Sequence, residues 1–254
     1  MDAVTLTITT LPGIPLVEPG DDLVQLMMDG LAAGGLNLQA GDVLVVTSKI
    51  VSKSEGRLVR LAAVKPGARA EAVAAEVGKD PRIVELILSE SRSISRQAPN
   101  VLITEHRLGF ISANAGIDQS NVPGYSEYVL LLPVDPDASA RRLREQLRER
   151  TGVEVGIIIS DSHGRPFRVG TVGVAIGVAG LPAVLDLRGQ PDLFGRELRI
   201  SMQGYADMIA STAQLVSGEG AEGLPVTLVR GLRFPAVDGS ARDLQRDPDH
   251  DLYR

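Results

Sequence analysis

The chain has 254 residues, 44% of them hydrophobic and 23% charged, with a net charge of −6. That suits one large globular unit and argues against nucleic-acid binding driven by phosphate neutralisation. No apolar run reaches the roughly 18 residues of a membrane span, cysteine is absent, and MDAVTLTITT lacks a secretion signal, so a cytoplasmic location without disulfides is expected.

Strands and helices alternate along the chain. VTLTI near the start and DVLVVTS at 42–48 are β-branched runs that predict strands. Between them DDLVQLMMDGLAAGG predicts a helix, with Asp21 or Asp22 near the N-cap and Gly34 or Gly35 at its end. Helices are also predicted over Pro66 to Val77 and Asp80 to Glu90, the second capped by Asp80 with Pro81 in its first turn. VLITEH, YVLLLPV and VGIIIS are short apolar runs that predict buried strands. PDASARRLREQLRER predicts a surface helix ending before Gly152, with Arg141 and Glu145 four apart on a solvated face. ADMIASTAQLVSG predicts an Ala-rich helix closing at Gly218, and PVTLVRG a final strand. Residues 235–254 are expected to form a loosely ordered tail. No linker divides the chain, so residues 1–254 are read as one α+β unit of mixed α/β elements, at most two intimately packed lobes.

Five stretches carry side chains suited to chemistry, and each also admits a plain structural reading. LPGIP at 11–15 is a tight turn whose backbone N–H groups suit a ligand, or simply a rigid corner. TSKIVSKSEGR at 47–57 places Ser48, Lys49, Ser52 and Lys53 together, a phosphate-binding set without Walker glycine spacing, or a solvated β-edge. The two lysines stand out because only Lys65 and Lys79 occur besides them. GFISANAGIDQSNVPG at 109–124 surrounds Asp118 with amides and hydroxyls, as hard cations prefer, or as an Asx-rich turn does. In IIISDSHGRPFRVG the strand is expected to end at Ser160, leaving Asp161, Ser162, His163, Arg165 and Arg168 on a loop, with the small-residue run TVGVAIGVAG behind for close backbone approach. The arginines are candidates for gripping an anionic substrate, whereas a lone imidazole such as His163 is more often a packed residue. VSGEGAEGLP brackets Glu219 and Glu222 with glycines, as a ligand-wrapping turn or a helix cap. Together they supply the parts of phosphoryl transfer, in which catalysis is mostly positioning and charge neutralisation.

LPGIP, GDVLVVTSKIVSKSEGRLV, ITEHRLGFISANAGIDQSNV, ISDSHGRPFRVG with AIGVAG, and VSGEGAEGLPVTLVRG, in that order from about Leu11 to Arg230, resemble the coenzyme F420-0:γ-glutamyl ligases. The resemblance implies an unusual α+β fold in an intertwined homodimer, without the nitroreductase-like domain fused to some relatives. It implies a GTP-dependent ligase that adds L-glutamate to F420-0 and then a second glutamate, releasing GDP and phosphate each time. It also implies Mg²⁺ or Mn²⁺, helped by K⁺. Nucleotide contacts would fall on Leu11, Pro12, Gly13, Ile14, Ser48, Lys49, Lys53 and Asn121. A loop of Ser217, Gly218, Glu219, Gly220, Ala221, Glu222, Gly223 and Leu224 would cover the nucleotide. Asp118 and Asp161 would hold one metal, and Ser162 (Thr in many relatives) with Glu219 a second. Asp118, Asp161 and Lys53 form the implied catalytic set. The sequence departs from the family at Gly173, where several relatives carry a polar side chain. Two other readings stay open: a non-catalytic nucleotide-binding module, and a ligase of the same architecture with another acceptor or amino acid.

Overall fold

A strand that is apolar at every position needs cover on both faces, and this requirement organises the molecule. The computed structural model describes residues 3–122, 124 and 127–251. The chain runs through β1 (Thr7–Thr10), α1 (Leu23–Ala33), β2 (Val43–Thr47) and α2 (Ser48–Ser54). It then makes β3 (Leu58–Arg60), α3 (Ala68–Val77), α4 (Pro81–Ser89), β4 (Ser91–Ala98), β5 (Val101–His106), β6 (Ile111–Ala113) and β7 (Tyr128–Leu130). It returns with α5 (Pro136–Thr151), β8 (Gly156–Arg165), β9 (Arg168–Ala179), β10 (Val184–Asp186), β11 (Met202–Gly204), α6 (Tyr205–Ser217) and β12 (Val226–Arg230). The expected α+β class holds as a mixture of helices and four sheets.

The main sheet has the order β1-β12-β2-β8-β9, with β2 and β8 parallel and the other neighbours antiparallel. Leu44, Val46, Ile157 and Ile159 face a core shared with α1 and α5; Val43, Val45 and Ile158 face a second core built on α6. Ile157, Ile158 and Ile159 are fully buried, and each contributes about 1.5–3 kcal/mol by leaving water. The sheet is therefore a rigid middle layer.

Helix boundaries follow their caps. Asp22 accepts from Gln25 N at the start of α1, and Asp135 accepts from Ala138 N at the start of α5, with Pro136 in its first turn. Leu143 and Leu147 of α5 are buried, while its arginines pair outward, Arg144 with Glu154 and Arg150 with Asp22.

Residues 58–131 make a smaller lobe with its own cores, one under α3 and α4 and one under β3 and β7. Among its elements, β4 escapes sequence reading because SRSISRQA has no apolar run; pairing with β5 holds it. YVLLLPV forms only a three-residue strand, although Leu131 and Leu132 beyond it are still buried.

Three expectations change. IIISDSHGR does not end its strand at Ser160: β8 continues to Arg165 because β9 pairs with it through Arg165. The small-residue run of β9 admits the protein's own helices, since a Cβ at Gly173 would meet the Ala210 carbonyl of α6 at 2.5 Å and one at Gly177 would meet the backbone of Pro136. Within the expected loose tail, residues 240–245 are tied down. Ser240 caps a short 3₁₀ turn and bonds Asp137, Ala241 is buried, and Gln245 donates to the Leu108 carbonyl. Residues 252–254 of that tail, and Pro123 of the polar stretch, lie outside the described residues. Among the described residues, no helix is long and apolar enough to cross a membrane.

Candidate active site

The end of β2 and the middle of β8 open into a cleft of about 580 Å³, within the range of ligand pockets. The lysine motif that follows β2 is neither loop nor β-edge but the two-turn helix α2, which places Ser48, Lys49, Ser52 and Lys53 one after another beside the sheet. Both lysines meet the polar stretch of the small lobe across the cleft. Lys49 pairs with Asp118 at 2.7 Å and donates to Ser120 Oγ at 2.8 Å; Lys53 donates to the Asn121 carbonyl at 2.8 Å.

Strand alternation splits the IIISDS motif between two walls. Asp161 faces α2 and accepts from Ser48 Oγ at 3.1 Å, whereas Ser162 faces α6 and accepts from Gln214 Nε2 at 3.0 Å. Gln214 also bonds Glu219, which accepts from Thr171 Oγ1 at 2.9 Å. Glu222 is committed to its own loop, accepting from the Gly220 N–H at 2.7 Å. Asn121 Nδ2 donates to the Gly220 carbonyl at 3.0 Å, so the loops on either side of the cleft touch.

Electrostatics separate the charged groups. Burial pushes the Lys53 ammonium down, the neighbouring Lys49 charge adds to this, and Asp118 opposes it. Burial alone would raise Asp118, but the Lys49 hydrogen bond, the Ser120 N–H and the Lys49 charge outweigh it and hold the carboxyl below its ordinary range. Asp118 is thus kept anionic beside two cations.

Most of the expected residues line this one cleft: Ile14, Ser48, Lys49, Lys53, Asp118, Asn121, Asp161, Ser162 and residues 217–224. Leu11 does not; it is fully buried, and its N–H is spent on the Val226 carbonyl. Pro12 and Gly13 also lie outside the lining. Arg165 and Arg168 are absent from the lining as well. At about 3.3 Å per residue, the continued strand carries Arg165 roughly 16 Å past Ser160, where it donates to the Val169 carbonyl. Ser120, one of the hydroxyls around Asp118 in the polar stretch, lines the cleft too, as do Thr171 and Gln214, which sequence reasoning did not select. Nothing in the sequence marks Gln214, a single amide in an Ala-rich helix.

The fit of a divalent cation can be judged from the donors. Among the described residues no group of three His, Asp or Glu is placed to hold a metal by itself. Carboxylates in ones and twos with hydroxyl oxygens suit an ion such as Mg²⁺ that keeps water and shares its shell with substrate phosphates. The donor set fits that kind of site.

A model of the family described as F420-0:γ-glutamyl ligase matches residues 13–231, a span that contains every cleft residue discussed above. The chain belongs to this family. The coenzyme F420:L-glutamate ligase of Methanopyrus kandleri is 47% identical over 254 residues, covering 98% of each chain. The protein of the same name from Methanothermobacter thermautotrophicus is 43% identical over 251 residues, covering 98% of this chain and 99% of its own. That from Archaeoglobus fulgidus is 43% identical over 242 residues, covering 95% and 94%. These relatives match over nearly their whole length, so cleft and small lobe both fall within the family.

Proposed function

We propose that this chain is a GTP-dependent ligase that joins L-glutamate to F420-0 and then a second glutamate to the product. The observation that carries the reading is the meeting of Lys49 and Lys53 with Asp118 and Asp161 in one cleft, beside the glycine-rich loop 217–224. Family membership and the relatives' names support the substrates.

In the proposed reaction the carboxylate of F420-0 attacks the γ-phosphorus of GTP, forming an acyl phosphate and GDP. The amine of glutamate then attacks the acyl carbon, phosphate leaves, and the amine loses a proton. Lys53 and Lys49 balance phosphate charge, the second after exchanging Asp118 for the nucleotide. Ser48 and Ser120 offer hydroxyls from facing walls of the cleft. Loop 217–224 packs over the nucleotide through backbone N–H groups and restricts water. Asp118 and Asp161 would hold one Mg²⁺ or Mn²⁺, and Ser162 with Glu219 a second; when bound, such ions supply further neutralisation of the triphosphate. K⁺ is proposed as an auxiliary cation.

A homodimer belongs to the same reading. Val169, Leu193, Phe194 and Ile200 are 89–99% exposed, and large apolar side chains left in water favour a covering partner.

The test is purified protein incubated with F420-0, GTP and a panel of amino acids, followed by product mass and phosphate release. Stepwise growth by glutamate residues supports the reading. GTP binding without phosphate release would show a binding module, and growth with another amino acid or acceptor a different ligase.

A further inference from the structure

His163 lies two residues beyond Asp161 on β8, on the same face of the strand. Its Nε2 is 3.0 Å from Asp161 Oδ2. A carboxylate only accepts, so Nε2 carries the hydrogen and donates. The other oxygen, Oδ1, accepts from Ser48, so Asp161 is held from both sides. The imidazole is itself held: its side chain is 12% exposed, and Phe110 packs on it at 4.9 Å with a 54° tilt. Phe110 in turn stacks on the fully buried His106. Behind the ring lies a second cavity of about 160 Å³, lined in part by Asp207. Burial pushes the Asp207 carboxyl up, while the Ala175 N–H and the nearby imidazole pull it back. His163 thus stands between the cleft and a separate half-buried carboxyl.

We propose that His163 is the positioning residue of the cleft, clamping Asp161 Oδ2 opposite Ser48 and so fixing how this carboxylate is presented to a divalent cation. The inference rests on the reading of Asp161 as a metal ligand. Outer partners of this kind typically change metal affinity 10- to 100-fold when removed.

Two substitutions separate positioning from packing. His163→Phe keeps a ring against Phe110 but has no donor; His163→Gln gives up the ring and keeps an amide N–H near the reach of Nε2. Calorimetric titration with Mn²⁺ alone, beside the melting temperature, reads the difference. Expected is a loss of about 10- to 100-fold in Mn²⁺ affinity for His163→Phe at near wild-type melting temperature, with His163→Gln within about threefold of wild type. If His163→Phe does not fold, His163→Leu, equally without a donor, replaces it. Wild-type affinity in the donor-free variant, equal losses in both variants, or no Mn²⁺ binding by the wild type each overturns the proposal. The product-mass assay reports separately. Mn²⁺ binding that follows the donor while wild type makes no product refutes the ligase and leaves His163 in place; product with unchanged Mn²⁺ affinity in His163→Phe does the reverse.

Discussion

Replacing Lys53 by methionine should weaken GTP binding without weakening the fold. Lys53 is 9% exposed, and its ammonium donates to the Asn121 carbonyl at 2.8 Å. Facing a phosphate, a charge-assisted hydrogen bond contributes about 1.5–3 kcal/mol, which at about 1.4 kcal/mol per tenfold is a roughly 10- to 150-fold rise in KM for GTP. Stability should move the other way. Burial and Lys49 push Lys53 below its ordinary 10.5, against the pull of Asp118, so the charged form is less favoured folded than unfolded. With the folded value the lower one, wild-type stability rises as pH climbs from that value towards 10.5, and below it the cost of the charge is fully present. Methionine keeps the apolar stem and removes that cost. The melting temperature should therefore hold or rise at pH 7, and the high-pH rise should vanish. Initial rates of phosphate release, with GTP and glutamate varied in turn, supply the assay. A change confined to the KM for glutamate, or a melting temperature several degrees lower, would refute the reasoning by making Lys53 a substrate or structural residue instead.

Asp161→Asn keeps an oxygen for Ser48 but loses the charge; turnover should drop by about 100-fold or more while circular dichroism stays native, and wild-type phosphate release would remove the assignment. Asp118 is held below 3.8, so its stabilisation is complete above that pH and is lost as pH falls through the lowered value. Asp118→Asn should accordingly flatten the acid limb of a melting curve series run below pH 3.8. Gly173→Ser places a Cβ 2.5 Å from the Ala210 carbonyl; overpacking costs about 1–3 kcal/mol, so calorimetry should show a melting temperature about 2–12 °C lower. Phe194→Asp should shift the sedimentation coefficient from dimer to monomer if that exposed loop is the contact face.

Much of the fold is legible in the residues because burial writes itself into periodicity. Val43 to Val46 and Ile157 to Ile159 have no polar gaps, and they occupy neighbouring strands covered on both faces. Asp22 and Asp80 announce their helices through capping chemistry. What stays hidden depends on partners distant in the chain. β8 runs on through SDSHGR only because β9 lies alongside, and SRSISRQA is a strand only because VLITEH is. The candidate site shows the same division. Lys49, Lys53, Asp118, Asp161 and the glycine-rich loop carry their chemistry in their own side chains. Gln214 and Thr171 acquire a role only through what they touch, namely Ser162 and Glu219. Leu11 reads as part of a ligand-facing turn, yet its aliphatic side chain goes to the core.

The β8–β9 hairpin has one further consequence. Ile176 is the extra residue where pairing skips from Ile159–Gly177 to Ser160–Ala175, so the bulge lies on β9, and the unbroken alternation of β8 decides which wall each neighbour of Ser160 serves. A single-residue deletion between Gly156 and Ser160 would turn the carboxylate towards α6 and the hydroxyl towards α2. The chain would retain every donor and still exchange its two halves, so engineers can vary hairpin length only beyond the Arg165–Arg168 pair that closes the ladder.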